Sequence, residues 1–548
     1  MSHTTTSTIR GIVAVSIASF GVACAARIDP SRPIYPMPQT RAEASDYNRT
    51  SSYGDVMAFI NGLRARNAPL AYGVIGKTTE GRDIPYLIAS RPIVRTPEEA
   101  RKLGRPIVYV NANIHAGEVE GKEALLALVR DLTYQRGPNV LDSLVLIAVP
   151  IYNADGNEKF ADQAVNRREQ NGPELVGTRA QGQGLDLNRD YVKAEAPETR
   201  ASLAMFDKWD PDVYVDLHTT DGSFHGFALT YSPSLNPASY APGFAGGLTR
   251  DTILPEIRAR MHSRGFEVFD YGNFGREDGR AQLTDTVKDG WYTYEHTPRY
   301  GTNYYGIRGR VSILSEAFSH DPFKRRVAST YAFVQEILSA TARHAAQLEQ
   351  IRSTADNVQD ANVPIRSRMT TKPFDAPIPF EVLTRTGDST LTQAGVPRGL
   401  RRTGRFITQV MPVYDRFEPT LEVRHPDAYL VPNDAKIVAL LELHGLSVEP
   451  FSPSGTGNRL SVFTVDSVIT SARPFQGHRE TRVTGTWSTP SARDVSAGGY
   501  VVVPATGRFG PLAAYLLEPE SDDGLVDWNF FDTSIATGKP FPVIRLYK

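Results

Sequence analysis

The chain has 548 residues, 41% of them hydrophobic and 22% charged, with a formal net charge of −1. This is an ordinary globular mixture, long enough to favour two domains. A charge so near zero excludes a chain drawn by its overall field to nucleic acid or an anionic membrane.

At the N-terminus, Arg10 is followed by the uncharged run GIVAVSIASFGVACAA and then Arg27. The run is too short for a comfortable membrane span and fits a signal-peptide core. Ala23-Cys24-Ala25 is an acceptable cleavage site, so residues 1–25 read as a signal peptide. The chain is then expected to be exported, periplasmic or secreted, with no transmembrane segment in its mature form. Cys24 is the single cysteine, so cleavage leaves no thiol, no disulfide framework and no cysteine metal ligand. The box GVAC offers an alternative, a lipoprotein anchored through Cys24, although Gly21 begins such a box poorly. Residues 26–45, rich in proline and polar residues, read as a linker.

Residues 46–352 read as an α/β domain. YGDVMAFINGLRAR has helical apolar spacing, and LAYGVIGKTTEGRDIPYLIAS reads as two strands around a glycine-containing turn. PIVYVNANI is a buried strand, and the amphipathic helix GKEALLALVRDLTYQ follows it. DSLVLIAVPIYN, DVYVDLH and RVSILSEAF are further buried strands, and YAFVQEILSATARHAAQLEQIRS is a long closing helix. Short apolar strands alternating with helices predict a mixed, mostly parallel sheet flanked by helices. Residues 353–377 read as a polar, proline-containing linker. Residues 378–548 read as a smaller C-terminal α/β domain of unassigned role, with DAKIVALLELHG as a helix. Its acidic run from Glu518 to Asp523 matches no EF-hand spacing and reads as a solvated loop.

The chemistry gathers where strands end, which is where open α/β sheets bind ligands. NANIHAGEVEG places His115 and Glu118 three apart after a buried strand, so imidazole and carboxylate can point the same way. His218 follows the strand DVYVDL and supplies a third candidate, the number that a catalytic zinc site usually takes from protein. Alone, such a pair is most often a surface histidine with a nearby acid. GLDLNRDY collects Asp186, Asn188 and Arg189. An Asn-Arg pair suits a free carboxylate, and an Asp near a ligating histidine can hold its other ring nitrogen; a surface ion pair in a loop is the bland alternative. Glu316 ends the apolar strand SILSEAF, where a carboxylate is costly unless paired or functional. Beside a metal-bound water it would be a natural general base.

In chain order, TTEGRDI, H-x-x-E, NADG, DLNRD, DLHTTDG and LSEAF resemble the zinc carboxypeptidase family, the carboxypeptidase A-like metallopeptidases. The resemblance covers roughly residues 47–350. It implies one zinc ion on His115, Glu118 and His218, and Glu316 activating the zinc-bound water and passing its proton to the leaving amine. It makes Asp186 the outer partner of His115, and Asn188 and Arg189 the clamp on the substrate's terminal carboxylate. The arginine that polarises the scissile carbonyl falls near VNRREQNGP, where Arg167 is preferred and Arg168 is the alternative. Two departures stand out. Gly117 occupies a position where pancreatic members have arginine, and the family's mobile tyrosine could be Tyr294, Tyr300, Tyr304 or Tyr305. Arg308 and Arg310 lie close enough in sequence to suggest an acidic substrate side chain.

The expected function is hydrolysis of the C-terminal bond of peptides with a free C-terminus. One alternative is a zinc deacylase or amidase acting on N-acyl amino acids or cell-wall peptides. Another is a non-catalytic binding protein on the same scaffold. Oligomeric state is not legible.

Overall fold

Eight strands form the sheet that carries the site. In spatial order they are Leu70–Lys77, Asp83–Ala89, Val145–Val149, Ile107–Ala112, Val213–Thr219, Val311–Ala317, Leu229–Pro233 and Val268–Asp270. The middle four run parallel to one another, while the two strands at the first edge and Leu229–Pro233 pair antiparallel. Parallel neighbours cannot be joined by a tight hairpin. Helix Glu120–Tyr134 accordingly bridges two of them, and helix Pro197–Trp209 leads into a third. Every residue of the middle four strands is buried. That is why they read as continuous apolar runs rather than alternating ones.

The computed structural model describes Met1 and residues 37–275, 289–355, 362–388, 390, 396, 398–424, 426–451, 459–489 and 499–547. The expected signal segment, Cys24 and the first part of the 26–45 linker lie outside these, apart from Met1. Residues 37–548 form one compact unit.

The two faces of the sheet are covered differently. Val108, Val110, Val213 and Val215 point into a core shared with Phe59 and Ile60, Leu125 and Leu128, and Phe333 and Ile337. These come from helices Tyr53–Ala65, Glu120–Tyr134 and Phe323–Arg343. Tyr109, Ile147 and Tyr214, one residue out of step, point to the other face, as the pleat requires. Their core continues through Phe206 and Tyr305 to Tyr429, Leu441, Leu516 and Trp528. The C-terminal region therefore covers a face of the main sheet.

That region is rich in strand. A six-stranded sheet, antiparallel at each pairing, is assembled from Glu449–Pro450, Tyr500–Pro504, Ala428–Pro432, Pro540–Tyr547, Arg459–Thr470 and Thr481–Ser488. Helices Ala435–Leu443 and Gly510–Leu517 accompany it. The long strands Phe374–Arg385 and Leu400–Tyr414 pair with each other and reach back to Trp291–Tyr292.

Three expectations change. The stretch 353–377, read as a linker, contains strand Asn362–Met369, paired with Phe417–Arg424. The long closing helix is two helices, Phe323–Arg343 and Ala345–Thr354, broken at His344. The acidic run is not a solvated loop: Glu518 and Asp523 are buried. Glu518 accepts two hydrogen bonds from Arg545, at 2.7 and 2.6 Å, and Asp523 accepts from Arg299 at 2.8 Å. Burying carboxylates is tolerable only with such partners. Among the described residues no helix is long and apolar enough to cross a membrane.

Candidate active site

His115 and Glu118 occupy the turn between strand Ile107–Ala112 and helix Glu120–Tyr134. Asn113 turns the chain with a positive φ of 65°, a conformation asparagine adopts more readily than most residues. The Glu118 amide then donates to the His115 carbonyl at 3.0 Å, closing the turn. At Gly117, an added Cβ would stand 2.9 Å from the Gly177 carbonyl and 3.6 Å from the Arg167 side chain. An arginine has no room there.

His218 ends the neighbouring strand Val213–Thr219, and its register partner on the next strand is Glu316. Two parallel strand ends thus set histidine and glutamate side by side, and the crossover turn brings the other two ligands to them.

The ligand atoms converge. Nδ1 of His115 lies 3.0 Å from Glu118 Oε1, Nδ1 of His218 lies 3.0 Å from Glu118 Oε2, and the two Nδ1 atoms are 3.2 Å apart. Among the described residues this is the group whose donor atoms, all within 4.8 Å of one another, could hold a metal. Tetrahedral zinc with nitrogen ligands at about 2.0–2.1 Å would place those nitrogens roughly 3.4 Å apart, so the donor set fits.

The outer nitrogens are also supported. Nε2 of His115 is 3.0 Å from Asp186 Oδ1, and Nε2 of His218 is 3.1 Å from Asp216 Oδ2. The Asp186 carboxylate on the far nitrogen of His115 fixes the tautomer that presents Nδ1 inward, and Asp216 sets a negative charge beside the far nitrogen of His218. Asp186 had been expected in this role. Asp216 had not, although its place two residues before His218 on one strand was a usable signal.

Glu118 is held from several sides. The Thr219 amide donates to Oε2 at 3.0 Å, and Arg167 Nη1 lies 2.9 Å from Oε1. Burial alone would raise its pKa, but His115 and Arg167 outweigh that and hold it well below the usual carboxylate range. Arg167 is buried, whereas Arg168 is exposed. Its guanidinium is heavily committed: Nη2 donates to the Thr219 and Thr220 carbonyls at 2.6 and 2.8 Å, and Nε is 3.0 Å from Glu169. Sequence reasoning missed a second arginine, Arg179. Its Nε donates to Asp186 at 2.9 Å, its Nη1 lies 3.5 Å from Glu118, and 43% of its side chain is exposed. No local pattern in VGTRAQGQG marks it.

A cavity of about 220 Å³ joins these groups to Asn188, Arg189, Tyr271, Tyr294, Tyr300, Thr302 and Glu316. Asn188 Oδ1 accepts from the Gly301 amide at 2.9 Å, so its amide group is fixed in orientation. The Arg189 guanidinium lies 4.2 Å above the Tyr300 ring. Glu316 is buried; burial pushes its carboxyl up to about 8, with Glu118 and Asp221 adding to the rise and His218 opposing it.

Of the four candidate tyrosines, Tyr294 and Tyr300 line the cavity. Tyr304 and Tyr305 are wholly buried, the first bonded to His444 at 2.7 Å and the second to Ser202 at 3.2 Å. Arg308 lies 3.2 Å from Asp207, and Arg310 pairs with Asp210. Neither lines the cavity, so the suggested acidic specificity has no basis there.

The zinc carboxypeptidase family model matches residues 56–240, a span that includes His115, Glu118, Asp186, Asn188, Arg189 and His218. Carboxypeptidase 2 of Trichophyton rubrum is 23% identical over 514 residues, covering 89% of this chain and 85% of the relative. A probable carboxypeptidase 2 of Trichophyton verrucosum is 28% identical over 165 residues, 29% of this chain and 28% of the relative. Among solved structures, the carboxypeptidase A of Helicoverpa armigera is 16% identical with a TM-score of 0.40, over 56% of this chain and 77% of that one. The match to the zinc carboxypeptidase model and the buried His-Glu-His group thus fall on the same part of the chain, residues 56–240.

Proposed function

We propose that the protein removes the C-terminal residue of peptides, with His115, Glu118 and His218 holding one zinc ion and Glu316 as general base. Zinc in such a site acts as a Lewis acid that activates water and polarises a carbonyl. The observation that carries the reading is the parallel register of Glu316 with His218, which sets a buried carboxyl beside the ligand group. From there Glu316 takes a proton from the attacking water on its carboxylate and delivers it to the departing amine.

Asp186 and Asp216 orient the histidines. Asn188 and Arg189 grip the terminal carboxylate, with Tyr300 beneath the guanidinium. The carbonyl-polarising role expected of Arg167 passes to Arg179. Arg167 is spent on Glu118 and two backbone carbonyls and acts through that ligand, whereas Arg179, held by Asp186 at its Nε, lines the cavity with 43% of its side chain exposed. Export is supported by the apolar run between Arg10 and Arg27, and N-terminal sequencing of the native protein would test it. A lipid anchor through Cys24 is the less favoured alternative, since Gly21 begins such a box poorly, and metabolic labelling with a radioactive fatty acid would test it.

Matched peptides ending in a free acid or an amide test the polarity. The acid should be cleaved with much the larger kcat/KM, releasing its last residue, because an arginine denied its anion is costly. Equal rates or internal cleavage would overturn the carboxypeptidase reading. Release of acyl groups from N-acyl amino acids, with peptides untouched, would favour the deacylase.

A further inference from the structure

A second cavity, about 890 Å³, lies on the other side of the Arg189–Tyr300 stack. The two cavities share those two residues, and the larger one is built mostly by the C-terminal region. Its charges do not balance. Arg299 is answered by Asp523 at 2.8 Å and Glu480 at 2.9 Å, and Asp522 lies 2.9 Å from His296. Glu295 is the acid left over. Against it stand Arg366, Arg473 and Arg482, together with Arg189, which also lies 3.9 Å from Asp186. Arg366 donates to a backbone carbonyl, that of Glu520, at 2.9 Å, and Arg482 reaches Asp527 at 4.0 Å. Phe417, Ile469 and Phe475 add apolar wall between the arginines.

The wall is fastened to the catalytic site. The loop between strands Arg459–Thr470 and Thr481–Ser488 makes three ties. Gln476 Oε1 accepts from the Asp186 amide at 2.9 Å, His478 lies 3.0 Å from Glu195, and Glu480 holds Arg299. Gln476 thus touches the same residue that orients His115. The wall of this cavity is thus tied to the segment that carries Asp186.

We propose that this cavity is a second substrate subsite that receives an acidic side chain near the C-terminus of the peptide. The proposal rests on the carboxypeptidase reading of the adjoining site. Arginine forks accept carboxylates bidentately, and their attraction is less screened within a cavity than on an open surface. Arg473 and Arg482 are both exposed, and with Arg482 no nearer than 4.0 Å to Asp527 they are the groups placed to close on the anion.

The test uses peptides that differ only by Glu or Gln at the last, second-last or third-last position. At one position the Glu peptide should show the larger kcat/KM, by about tenfold, the equivalent of one charge-assisted hydrogen bond. In R473A/R482A the Glu-to-Gln ratio should fall towards one, while R473K/R482K should keep most of it. Zinc content should stay equal in all three proteins. No Glu preference at any position, or a preference that survives R473A/R482A, would overturn the subsite. Should no peptide be cleaved, the carboxypeptidase reading fails, and calorimetric binding of the same peptides to the zinc-loaded protein decides the subsite. A Glu preference lost in R473A/R482A would sustain it; equal binding of Glu and Gln peptides would overturn it.

Discussion

At the residue scale, the proposed roles of the two arginines that flank Glu118, one in holding metal and one in chemistry, can be told apart by experiment. Arg167 is buried against the ligand carboxylate, so Arg167→Ala removes a positive charge from beside a metal ligand and leaves Glu118 partly unheld. Weaker zinc retention is the expected result, by about 10–100-fold for loss of an outer partner. Arg179→Ala removes the exposed guanidinium and should retain zinc yet lower kcat, by about 10²–10³-fold as for loss of one oxyanion donor. Metal analysis after dialysis against a chelator, run beside steady-state kinetics, checks both. If Arg167→Ala lost kcat with zinc intact and Arg179→Ala did not, the roles would be exchanged.

The same residues show what could be read from sequence. His115, Glu118, Asp186, Asn188, Arg189, His218 and Glu316 are each tied to a strand end or a short motif; six of them line one cavity, and Asp186 lies behind His115. Arg179, Tyr271 and Gln476 sit in segments without apolar periodicity. Their arrival at the site depends on tertiary folding, which leaves no local trace.

At the scale of the element, the middle strands were legible because a parallel strand buried on both faces is a continuous apolar run. Leu229–Pro233 and Val268–Asp270 were missed. The first is only five residues and the second three, too short for a period to show. Helix Ala435–Leu443 was expected from its apolar spacing, but its seat was not. It ends at His444, which is wholly buried; Nδ1 accepts from the Tyr304 hydroxyl at 2.7 Å, and Nε2 donates to the Val192 carbonyl at 3.0 Å.

That pairing requires a neutral ring, and burial lowers the His444 pKa to about 4. The unfolded chain would titrate near 6.5, so it takes up a proton that the folded chain refuses. Stability is therefore fully present above about pH 6.5 and is lost as the pH falls towards 4, on the order of 3 kcal/mol from this residue. His444→Gln keeps a donor for Val192 and removes the titration. Urea unfolding at pH 7 and pH 5 should show a smaller pH-dependent loss in the variant than in the wild type. An equal loss in both would mean that the histidine does not govern this seat.

At the scale of the whole molecule, the break expected near residue 353 follows a real change in composition, yet strand Asn362–Met369 and the shared core run on past it. Composition reports exposure and turn content, not whether a later sheet returns to cover an earlier one. Here it does: Tyr429, Leu516 and Trp528 pack in the same core as Tyr109 and Tyr214. The C-terminal region is thereby part of the frame that holds Asp186, Arg299 and Tyr300 in place.

The central claim is that one buried carboxyl does the proton transfer while three other residues hold the metal. Glu316→Gln keeps the shape of the side chain and removes the acceptor. Measured at matched zinc occupancy, its kcat on a free-acid peptide should fall by about 10²–10⁴-fold, with zinc bound at one ion per chain as in the wild type. Wild-type turnover in that variant, or loss of its zinc, would contradict the account.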